Sequence, residues 1–399
     1  MIFREDYIQA LEPYIDKPIV KILCGIRRCG KSTIFEMLKE TLSGMGVSDE
    51  QIIQRRYTQM GLALDRSKEG MYADLKKSLP DGKKGYLLLD EVQEIDGWEE
   101  VVNSLLEDSD TDIYVTGSNS KLMSSEISTY LTGRYVTIPV YTLSFEEYLK
   151  FNETGSLSEA ALLERYIKMG AFPFISANLF DERSAYQIVN DIYNTVVSRD
   201  IVTRHKISKP DLFDRVVRYI IENVGQTFSA TSVSKFLKSE NRTISVETVY
   251  NYIKWLCDAF IIYPCRRYDL QGKGVLKTQE KYYLADISLK YSLLGYNRKM
   301  LPGILENIVF LEMKRRGYDV YVGKNNSAEI DFVGIRYDER IYVQVCVQLP
   351  DGSAREVANL EKTGDHYSKY VVTMNRLDCG NENGIRIVYL SDFLLAKQW

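Results

Sequence analysis

The sequence has 399 residues, a formal net charge of -4, 45% hydrophobic residues and 27% charged residues, which is typical of a globular protein of roughly two to four domains. The slightly negative charge excludes a uniformly basic coat for nucleic acid, so any contact with DNA would come from a local patch. Two histidines and six dispersed cysteines without a CxxC pair disfavour zinc sites, a disulfide framework and histidine-dependent nucleophilic catalysis. We see neither a signal peptide nor an apolar run of the ~18 residues that span a bilayer, and expect a cytoplasmic protein without membrane contact.

The first informative stretch is GIRRCGKST at positions 25–33. An apolar, β-rich run, PIVKILCG, leads into it and apolar residues at helical spacing follow it, so the stretch joins a strand to a helix. It fits the pattern G-x-x-x-x-G-K-[ST] and continues into the helix, with the residues Gly25, Ile26, Arg27, Arg28, Cys29, Gly30, Lys31, Ser32 and Thr33. Glycines allow close backbone approach, and the N–H groups at the helix start attract phosphate. The pattern predicts a nucleotide site, in preference to an accidental glycine-rich turn.

Within this loop, Lys31 is predicted to reach the β- and γ-phosphates of ATP, and Ser32 to offer its hydroxyl to Mg²⁺. Hydrolysis needs a second element, which the run GYLLLDEVQEI supplies. It predicts a buried parallel strand that ends in Asp90 and Glu91, where α/β sheets hold their ligands. We expect Asp90 to hold Mg²⁺ through water and Glu91 to accept the proton of the attacking water. An exposed acidic pair that merely ends a strand is the alternative.

A third strand, DIYVTGSNS, ends in Thr116, Ser118 and Asn119. Of these, Ser118 or Asn119 is predicted to orient the water or to sense the γ-phosphate, with turn chemistry as the alternative. Arg134 follows in LTGRYVTI, between a glycine and a strand. It is interpreted either as an arginine finger, acting in cis or from a neighbouring subunit of a homo-oligomer, or as a surface ion pair.

Together, GIRRCGKS, YLLLDEVQ, VTGSNS, LTGRY and YTLSFEEYL resemble the AAA-type ATPases of prokaryotes that carry a C-terminal domain of unknown function. The later runs YIKMGAFPF, YYLADISLKYSLLG and EIDFV extend the likeness over essentially the whole chain. The resemblance implies an α/β fold with a P-loop ATPase domain and its parallel sheet (1–152), a helical lid (153–210), a winged-helix-like segment (211–270) and a restriction-endonuclease-like α/β module (271–399). Arg199, in the lid run VVSRDIVTR, is interpreted as a sensor of the nucleotide or as part of a helix-surface ion pair.

The segment at 227–269 predicts a helix, a turn, a second helix and strands, which is the pattern of a winged helix. The second helix carries one apolar face, formed by Val246, Val249, Ile253 and Leu256. The cations available for DNA phosphates are Arg242, Lys254, Arg266, Arg267, Lys273 and Lys277. They allow some phosphate contact but are weak for sequence-specific readout. The alternative is a packing module that relays the ATP state to the C-terminal module.

The run that begins PGILENIVF has the order α-β-β-β-α-β of the restriction-endonuclease core. Nucleases of that fold place acids on the first helix and the second strand, here Glu306 and Asp331, and an acid-x-Lys on the third strand. Gln344 and Cys346 stand in those last two positions, so a carboxylate and a lysine are missing. We predict a nuclease-like module without nuclease activity that docks a protein partner, unless a lysine from elsewhere, such as Lys362, takes the missing place.

The leading hypothesis is an ATP-binding protein and Mg²⁺-dependent ATP hydrolase that acts as a nucleotide-driven switch on DNA or a protein partner. An ATP-dependent DNA-processing enzyme with a metal-dependent nuclease domain is the second, and the missing acid and lysine count against it. A P-loop small-molecule kinase is the third. The Asp90–Glu91 pair and the large appended domains count against it.

Overall fold

The computed structural model describes residues 2–58, 66–123, 131, 133–239, 241–272, 274–325, 328–349 and 354–399. It divides into an N-terminal unit, Met1–Thr142 with Asp258–Phe260, and a C-terminal unit, Leu143–Cys257 with Ile261–Trp399. Of the residues singled out in the sequence, Lys273 and the side chain of Lys277 lie outside the described part of the chain.

A five-stranded parallel sheet organises the N-terminal unit, as the resemblance implied. Its strands are β1 (Val20–Cys24), β2 (Ile52–Arg56), β3 (Gly85–Asp90), β4 (Thr111–Gly117) and β5 (Tyr135–Pro139), in the spatial order β2-β3-β4-β1-β5. The runs predicted to form β1, β3 and β4 do so, and every residue of these three strands is buried. Because the strands are parallel, the loops that follow β1, β3 and β4 open at the same, carboxyl, edge of the sheet.

The described helices of the N-terminal unit are α1 (Glu5–Leu11), α2 (Lys31–Gly44), α3 (Lys68–Ser78) and α4 (Trp98–Asp108). The apolar faces of α3 and α4 join the sheet in one core, through residues such as Met71, Leu75, Val102 and Leu105. Helix α2 begins directly after the glycine-rich turn, so its N-terminus lies at the carboxyl end of β1.

Helices form the first part of the C-terminal unit: α5 (Phe145–Phe151), α6 (Glu159–Met169), α7 (Pro173–Asn178), α8 (Glu182–Thr195), α9 (Pro210–Glu222), α10 (Ala230–Ser239) and α11 (Val246–Asp258). Helix α8 continues into a π-helical stretch, Val196–Thr203. The predicted helix-turn-helix is present as α10 and α11. Its apolar face is buried at Val249, Ile253 and Leu256, whereas Val246, in the first turn of α11, is 37% exposed. In the described part of the chain, the helices are too short or too polar to cross a bilayer.

An eight-stranded mixed sheet follows, in the order β12-β13-β11-β10-β9-β8-β6-β7. Its strands are β6 (Ile262–Asp269), β7 (Gly274–Leu284), β8 (Asp319–Asn325), β9 (Ala328–Arg336), β10 (Glu339–Val345), β11 (Ser368–Thr373), β12 (Gly380–Glu382) and β13 (Ile385–Tyr389). The accompanying helices are α12 (Ser288–Leu294), α13 (Leu301–Arg315), α14 (Ala354–Glu361) and α15 (Leu390–Leu395). The predicted order α-β-β-β-α-β is present as α13, β8, β9, β10, α14 and β11.

The β6–β7 hairpin joins the helices to this sheet, because β6 pairs with β7 on one side and with β8 on the other. The predicted boundary after residue 270 therefore falls between two paired strands. The structure groups the helices from Leu143 onwards and the whole sheet in one unit. The finer division into four domains stays a prediction.

A buried aspartate accounts for two of the motifs, KMGAFPF and LADISLK. Asp286 Oδ2 accepts a hydrogen bond from the Ala171 N–H at 2.9 Å, and Oδ1 accepts bonds from the N–H and hydroxyl of Ser288 at 2.9 and 2.5 Å. Gly170 has φ +73°, and a Cβ there would lie 1.9 Å from Asp286 Oδ1. Glycine is required at this position by the positive φ and by the nearness of the carboxylate.

Asp286→Ala is expected to lower the free energy of unfolding of the C-terminal unit by about 2–6 kcal/mol, since two buried N–H groups lose their acceptor at about 1–3 kcal/mol each. Urea denaturation followed by circular dichroism measures the change. The control is Asp319→Ala, at an exposed position on β8, which should stay within about 0.5 kcal/mol of the parent. An Asp286→Ala protein as stable as the parent would contradict this account of the two motifs.

Candidate functional site

The turn between β1 and α2 contains two glycines that its geometry requires. Gly30, which precedes the first residue of α2, has φ +103°, a conformation that other residues rarely adopt. A Cβ at Gly25 would lie 2.0 Å from the main-chain oxygen of Val140. The 14-residue helix α2 starts at Lys31 directly behind the turn, and its free N–H groups and dipole favour an anion at this end. The turn has the geometry of an anion-binding loop.

The other residues of the loop differ in exposure. Ile26 and Cys29 are buried, Arg27 is half-buried, and Arg28 and Thr33 are exposed. Burial raises the pKa of the Cys29 thiol, so the group stays protonated and is a poor nucleophile or metal ligand. Cys29 therefore contributes packing and main-chain groups rather than chemistry.

Lys31 extends back over the loop. Its Nζ lies 2.9 Å from the Gly25 oxygen, 3.2 Å from the Ile26 oxygen and 3.7 Å from Glu91 Oε1. Burial alone would lower the pKa of Lys31, but the neighbouring negative charges, Glu91 and Asp90 among them, outweigh it and leave the pKa above its ordinary value. The ammonium group is therefore charged at neutral pH and lies against the loop.

The carboxylate of Asp90, at the end of β3, is 1% exposed and fully engaged. Oδ2 accepts hydrogen bonds from Ser32 Oγ at 2.7 Å and from Arg56 Nε at 2.9 Å, and Oδ1 accepts one from Thr116 Oγ1 at 2.5 Å. The hydroxyl of Ser32 and the carboxylate of Asp90 are hard oxygen donors close together, which is the donor set that Mg²⁺ prefers.

Glu91 adopts a left-handed conformation, φ +57°, directly after the strand. Its Oε2 accepts hydrogen bonds from Ser118 Oγ at 3.0 Å and from Gln93 Nε2 at 2.5 Å. Burial would raise the pKa of Glu91, but the Lys31 charge and the bond from Gln93 outweigh it and lower the pKa below its ordinary value. The carboxylate is therefore ionised at neutral pH and can accept a proton.

Five of the residues singled out in the sequence thus lie together at the carboxyl edge of the sheet: Lys31, Ser32, Asp90, Glu91 and Ser118. Asn119, next to Ser118 in the chain, is also buried. Its part in catalysis stays a prediction, as do the individual roles of the other five.

Sequence reasoning missed Arg56 and Gln93 and gave Thr116 no role. Gln93 stands two residues after Glu91 in the same run, and Thr116 lies in the third strand, so both were within reach of the motifs. Arg56 had no such signal. It meets Asp90 because β2 pairs with β3 in a register that sets these two residues side by side, and β2 was not recognised in the sequence.

Arg134 lies at the opposite edge of the sheet from the loop. The Val20 N–H, at the start of β1, donates to its main-chain oxygen, and the length of β5 places it about 15 Å from the carboxyl edge. Its Nη2 lies 2.5 Å from Glu107 Oε1 and 2.9 Å from Asn103 Oδ1 on α4. A finger acting in cis does not fit this position, and the surface ion pair does. Action from a neighbouring subunit stays a prediction.

Arg199 belongs to the C-terminal unit, where it is an exposed residue of the π-helical stretch. Its role as a sensor of the nucleotide also stays a prediction.

A second cluster lies in the C-terminal unit, around the residues of the nuclease-like pattern. Glu306 on α13 and Asp331 on β9 come together, as the pattern predicted, but with a lysine that the sequence analysis did not identify. Lys281, on β7, has its Nζ 3.0 Å from Glu329 Oε1, 3.5 Å from Glu306 Oε2 and 4.0 Å from Asp331 Oδ1. Lys362 is exposed, and its main-chain oxygen accepts a bond from an asparagine. The lysine that joins the acids is therefore Lys281.

The two residues that stand in the places of the missing acid and lysine, Gln344 and Cys346, supply no charge. Gln344 Oε1 accepts a hydrogen bond from the Asp331 N–H at 3.2 Å, and Asp331 Oδ2 accepts one from the Val345 N–H at 2.9 Å. Burial raises the pKa of Cys346 to about 12, so this thiol is uncharged. Among the described residues, no group of three or more His, Cys, Asp or Glu side chains has an arrangement that could hold a metal ion.

The charges of this cluster compensate each other internally. Burial, with the charge of Glu306 next, raises the pKa of Asp331 to about 8, and burial also raises the pKa of Glu306. Burial opposes the charge of Lys281, but Glu306 and Asp331 outweigh it and raise its pKa. Tyr283 donates its hydroxyl to Glu306 Oε2 at 2.9 Å. An ammonium group thus lies among carboxyl groups that a nuclease would use for metal.

Comparison with known proteins supplies the family context. A family model described as an AAA domain matches residues 17–149, and one described as a domain of unknown function (DUF8612) matches residues 160–299. The chain is similar to an uncharacterized protein of Haemophilus influenzae, with 35% identity over 99% of both chains. It is also similar to an uncharacterized protein of Methanocaldococcus jannaschii, with 31% identity over 86% of this chain and 78% of the other.

Among solved structures, the chain is similar in fold to a Walker-type ATPase of Pyrococcus abyssi, with a TM-score of 0.53 and 16% identity. The match covers 73% of this chain and 96% of the other. At this identity the likeness concerns the fold alone, and it supports the P-loop architecture of the parallel sheet.

The raised pKa of Asp331 predicts a pH-dependent stability. The folded protein keeps the proton of Asp331 up to about pH 8, whereas the unfolded chain releases it near pH 4. The contribution of this group to stability is therefore complete below about pH 4 and is lost as the pH rises through 8. Relative to Asp331→Asn, the parent should lose free energy of unfolding between pH 5 and pH 8, by at most about 1.4 kcal/mol per pH unit.

Urea denaturation of both proteins across this pH range measures the difference, with Asp319→Asn at an exposed site as control. Parallel curves for the parent and Asp331→Asn would show that Asp331 is ionised in the folded state.

Proposed function

Since the chain belongs to a family of prokaryotic proteins that join an AAA-type P-loop ATPase domain to a C-terminal domain of unknown function, we propose that it binds ATP with Mg²⁺ and hydrolyses it to ADP and phosphate. The observation that carries this proposal is the cluster at the carboxyl edge of the sheet, in which Ser32 meets Asp90 and Lys31 meets Glu91. A phosphate-binding loop, a pair of oxygen ligands and an ionised carboxylate are the parts that nucleotide hydrolysis requires.

The loop and Lys31 bind the phosphates in this proposal. In the protein alone, the ammonium group of Lys31 donates to two neutral main-chain oxygens, those of Gly25 and Ile26. A phosphate is a charged acceptor and forms a stronger hydrogen bond with the same ammonium group. The hydrogen bonds of Lys31 to a phosphate would therefore be stronger than its hydrogen bonds to the loop, which favours transfer of the ammonium group to the β- and γ-phosphates.

Ser32 and Asp90 would hold Mg²⁺, which supplies positive charge to the phosphates when it is bound. Arg56 donates to the same Asp90 oxygen as Ser32. It keeps the buried carboxylate paired in the protein alone, since an unpaired charge at this depth would be costly. Thr116 holds the other oxygen and fixes the plane of the carboxylate.

Glu91 is the group that we assign as the acceptor of the water proton. Its lowered pKa keeps it ionised at neutral pH, and Ser118 and Gln93 fix the orientation of its Oε2. This arrangement suits activation of a water nucleophile. A small-molecule kinase, the alternative interpretation of the loop, would use the same carboxylate to accept the proton of its substrate, so the large appended domains count against the kinase more than Glu91 does.

The C-terminal unit is proposed to contain a winged-helix-like segment and a restriction-endonuclease-like module without nuclease activity. The observation that supports the loss of activity is Gln344, which stands in the place of the acid on the third strand and accepts the Asp331 N–H through its amide oxygen. Lys281 is a lysine from elsewhere in the chain that meets the acids. Its ammonium group, however, lies among Glu306, Glu329 and Asp331, the carboxyl groups that would hold the metal. A divalent cation would have to displace this covalently attached charge. The hypothesis of an ATP-dependent nuclease is therefore weaker than that of an ATP-driven switch without nuclease activity.

The nucleotide state is proposed to act as a switch on DNA or on a protein partner. Four exposed cations accompany the helix pair α10–α11, namely Lys235, Lys238, Arg242 and Lys254. The second predicted patch is less available, because Arg266 pairs with Glu280 and Arg267 pairs with Glu329. DNA phosphates would therefore contact the helix pair. A protein partner would bind the remaining surface of the C-terminal unit.

Two substitutions test the hydrolase. Lys31→Ala should abolish ATP binding, because it removes the charge that faces the phosphates. Glu91→Gln should bind ATP as the parent does and release phosphate about 10²–10⁴-fold more slowly, the usual contribution of a general base. Titration calorimetry measures binding, and a phosphate-release assay measures turnover.

Glu91→Gln protein that turns over at the parent rate would remove Glu91 from the mechanism. Consumption of ATP only in the presence of a small-molecule acceptor, without release of phosphate, would favour the kinase.

A DNA titration separates the partner classes. If DNA is the partner, duplex DNA should stimulate phosphate release, and the double substitution Lys235→Glu, Lys254→Glu should remove the stimulation while leaving the basal rate unchanged. The double substitution Lys299→Glu, Lys397→Glu, at two exposed side chains outside the helix pair, is the charge-matched control. We expect the same DNA to remain intact with Mg²⁺ and with Mn²⁺. A rate indifferent to DNA would favour the protein partner, and cleavage that Asp331→Ala stops would restore the nuclease.

A further inference from the structure

Arg4 lies ahead of α1, outside residues 17–149 that match the AAA model. Although charged, it is 2% exposed. Its guanidinium donates to the main-chain oxygen of Cys29 through Nη1 at 2.9 Å, and to that of Tyr141 through Nη2 at 3.1 Å. It also stacks on the ring of Tyr7, 4.5 Å from the centroid. A buried cation thus connects the nucleotide-binding loop with the chain that follows β5.

The bond to Cys29 constrains one peptide group of the loop. In a planar trans peptide, the C=O of one residue and the N–H of the next point in opposite directions. Because the Cys29 oxygen is bound to Arg4, the Gly30 N–H is turned to the opposite side of that peptide. Gly30 has φ +103°, and glycine rotates with little steric hindrance, so this peptide is the part of the loop that would flip most readily.

The guanidinium is itself held in place. Its Nη2 contacts the main-chain oxygens of Tyr141 and Thr142, and the Tyr141 N–H donates to the Tyr7 hydroxyl at 3.0 Å. The Val140 N–H donates to the Cys24 oxygen at 2.7 Å. The segment that anchors Arg4 is therefore bound to β1 and the N-terminal segment, and it can resist movement of the loop.

We propose that Arg4 is a positioning residue for nucleotide binding: by holding the Cys29 oxygen, it keeps the Gly30 N–H turned towards the side of the loop that receives phosphate. This inference rests on the ATP binding proposed above. Arg4 touches no reacting atom, so its effect falls on affinity rather than on the chemical step. A loop that must first rotate a peptide binds phosphate more weakly than one already arranged.

The test compares Arg4→Met with Arg55→Met. Arg55 is a part-buried arginine of the same unit that pairs with Asp74, 2.7 Å away, on α3, and its loss also removes a charged contact but leaves the loop intact. Arg4→Met should bind MgATP and MgADP about tenfold more weakly or worse, equivalent to about 1.4 kcal/mol or more, with kcat within about threefold of the parent. Arg55→Met should keep the parent affinity. Calorimetry, steady-state kinetics and thermal unfolding without nucleotide are measured on all three proteins.

Two further variants keep the inference testable if Arg4→Met does not fold. Arg4→Lys keeps a charge and a donor and should bind ATP with intermediate affinity. Arg4→Ala should regain affinity for ATP when millimolar guanidinium chloride is added, but not when the same concentration of sodium chloride is added. A purely structural role of Arg4 would not produce this selective rescue.

Parent-like ATP affinity in folded Arg4→Met overturns the inference. So does a loss of affinity shared by Arg4→Met and Arg55→Met in proportion to their loss of stability. Failure of the parent protein to bind ATP is a different result, because it overturns the proposed function and this inference with it.

Discussion

The carboxylate of Asp90 is the group on which the nucleotide site depends. It is 1% exposed, and a charge at that depth is stable only when it is paired. Its partners come from three other elements, with Ser32 on α2, Arg56 on β2 and Thr116 on β4. They converge only because β2 and β4 lie on either side of β3. The chemistry at the edge of the sheet therefore depends on the strand order, because a different order would separate Asp90 from Arg56 and Thr116.

The sequence predicts those parts of the molecule that are encoded within a few consecutive residues. The loop at 25–33 and the strands β1, β3 and β4 carry their own signals in glycine spacing and apolar runs. Arg56 and Lys281 carry none, because each meets its partners through pairing or packing between segments far apart in the chain. Arg134 illustrates the same limit: a glycine before it and a strand after it do not tell at which edge of the sheet it lies. The pairing of β6 with β8 on the far side of residue 270 likewise has no local signal in the sequence.

Each unit contains buried carboxyl groups that need a partner for their charge, and the two units supply different kinds of partner. In the N-terminal unit, Asp90 is paired with an arginine that is 37% exposed and with hydroxyl groups, contacts that a diffusible ion can replace at moderate cost. In the C-terminal unit, Glu306 and Asp331 surround Lys281, whose side chain is 6% exposed. Removing a partner from such a buried set is strongly unfavourable. The cluster around Asp90 is therefore suited to exchange its partners for a bound ion, and the cluster around Lys281 is suited to keep its partners.

The β6–β7 hairpin limits how this protein can be cut or recombined. A fragment that ends at residue 270 would leave β6 without either neighbour, and one that begins at 271 would expose unpaired edges on both β7 and β8. Such edges are templates for aggregation. A break at residue 270 would carry this penalty, whereas a break between α11 and β6 would not. The β6–β7 hairpin is therefore expected to be inherited with the rest of the sheet as a single block. The Haemophilus influenzae relative, which aligns over 99% of both chains, is expected to keep this hairpin, with divergence concentrated in loops and on surfaces.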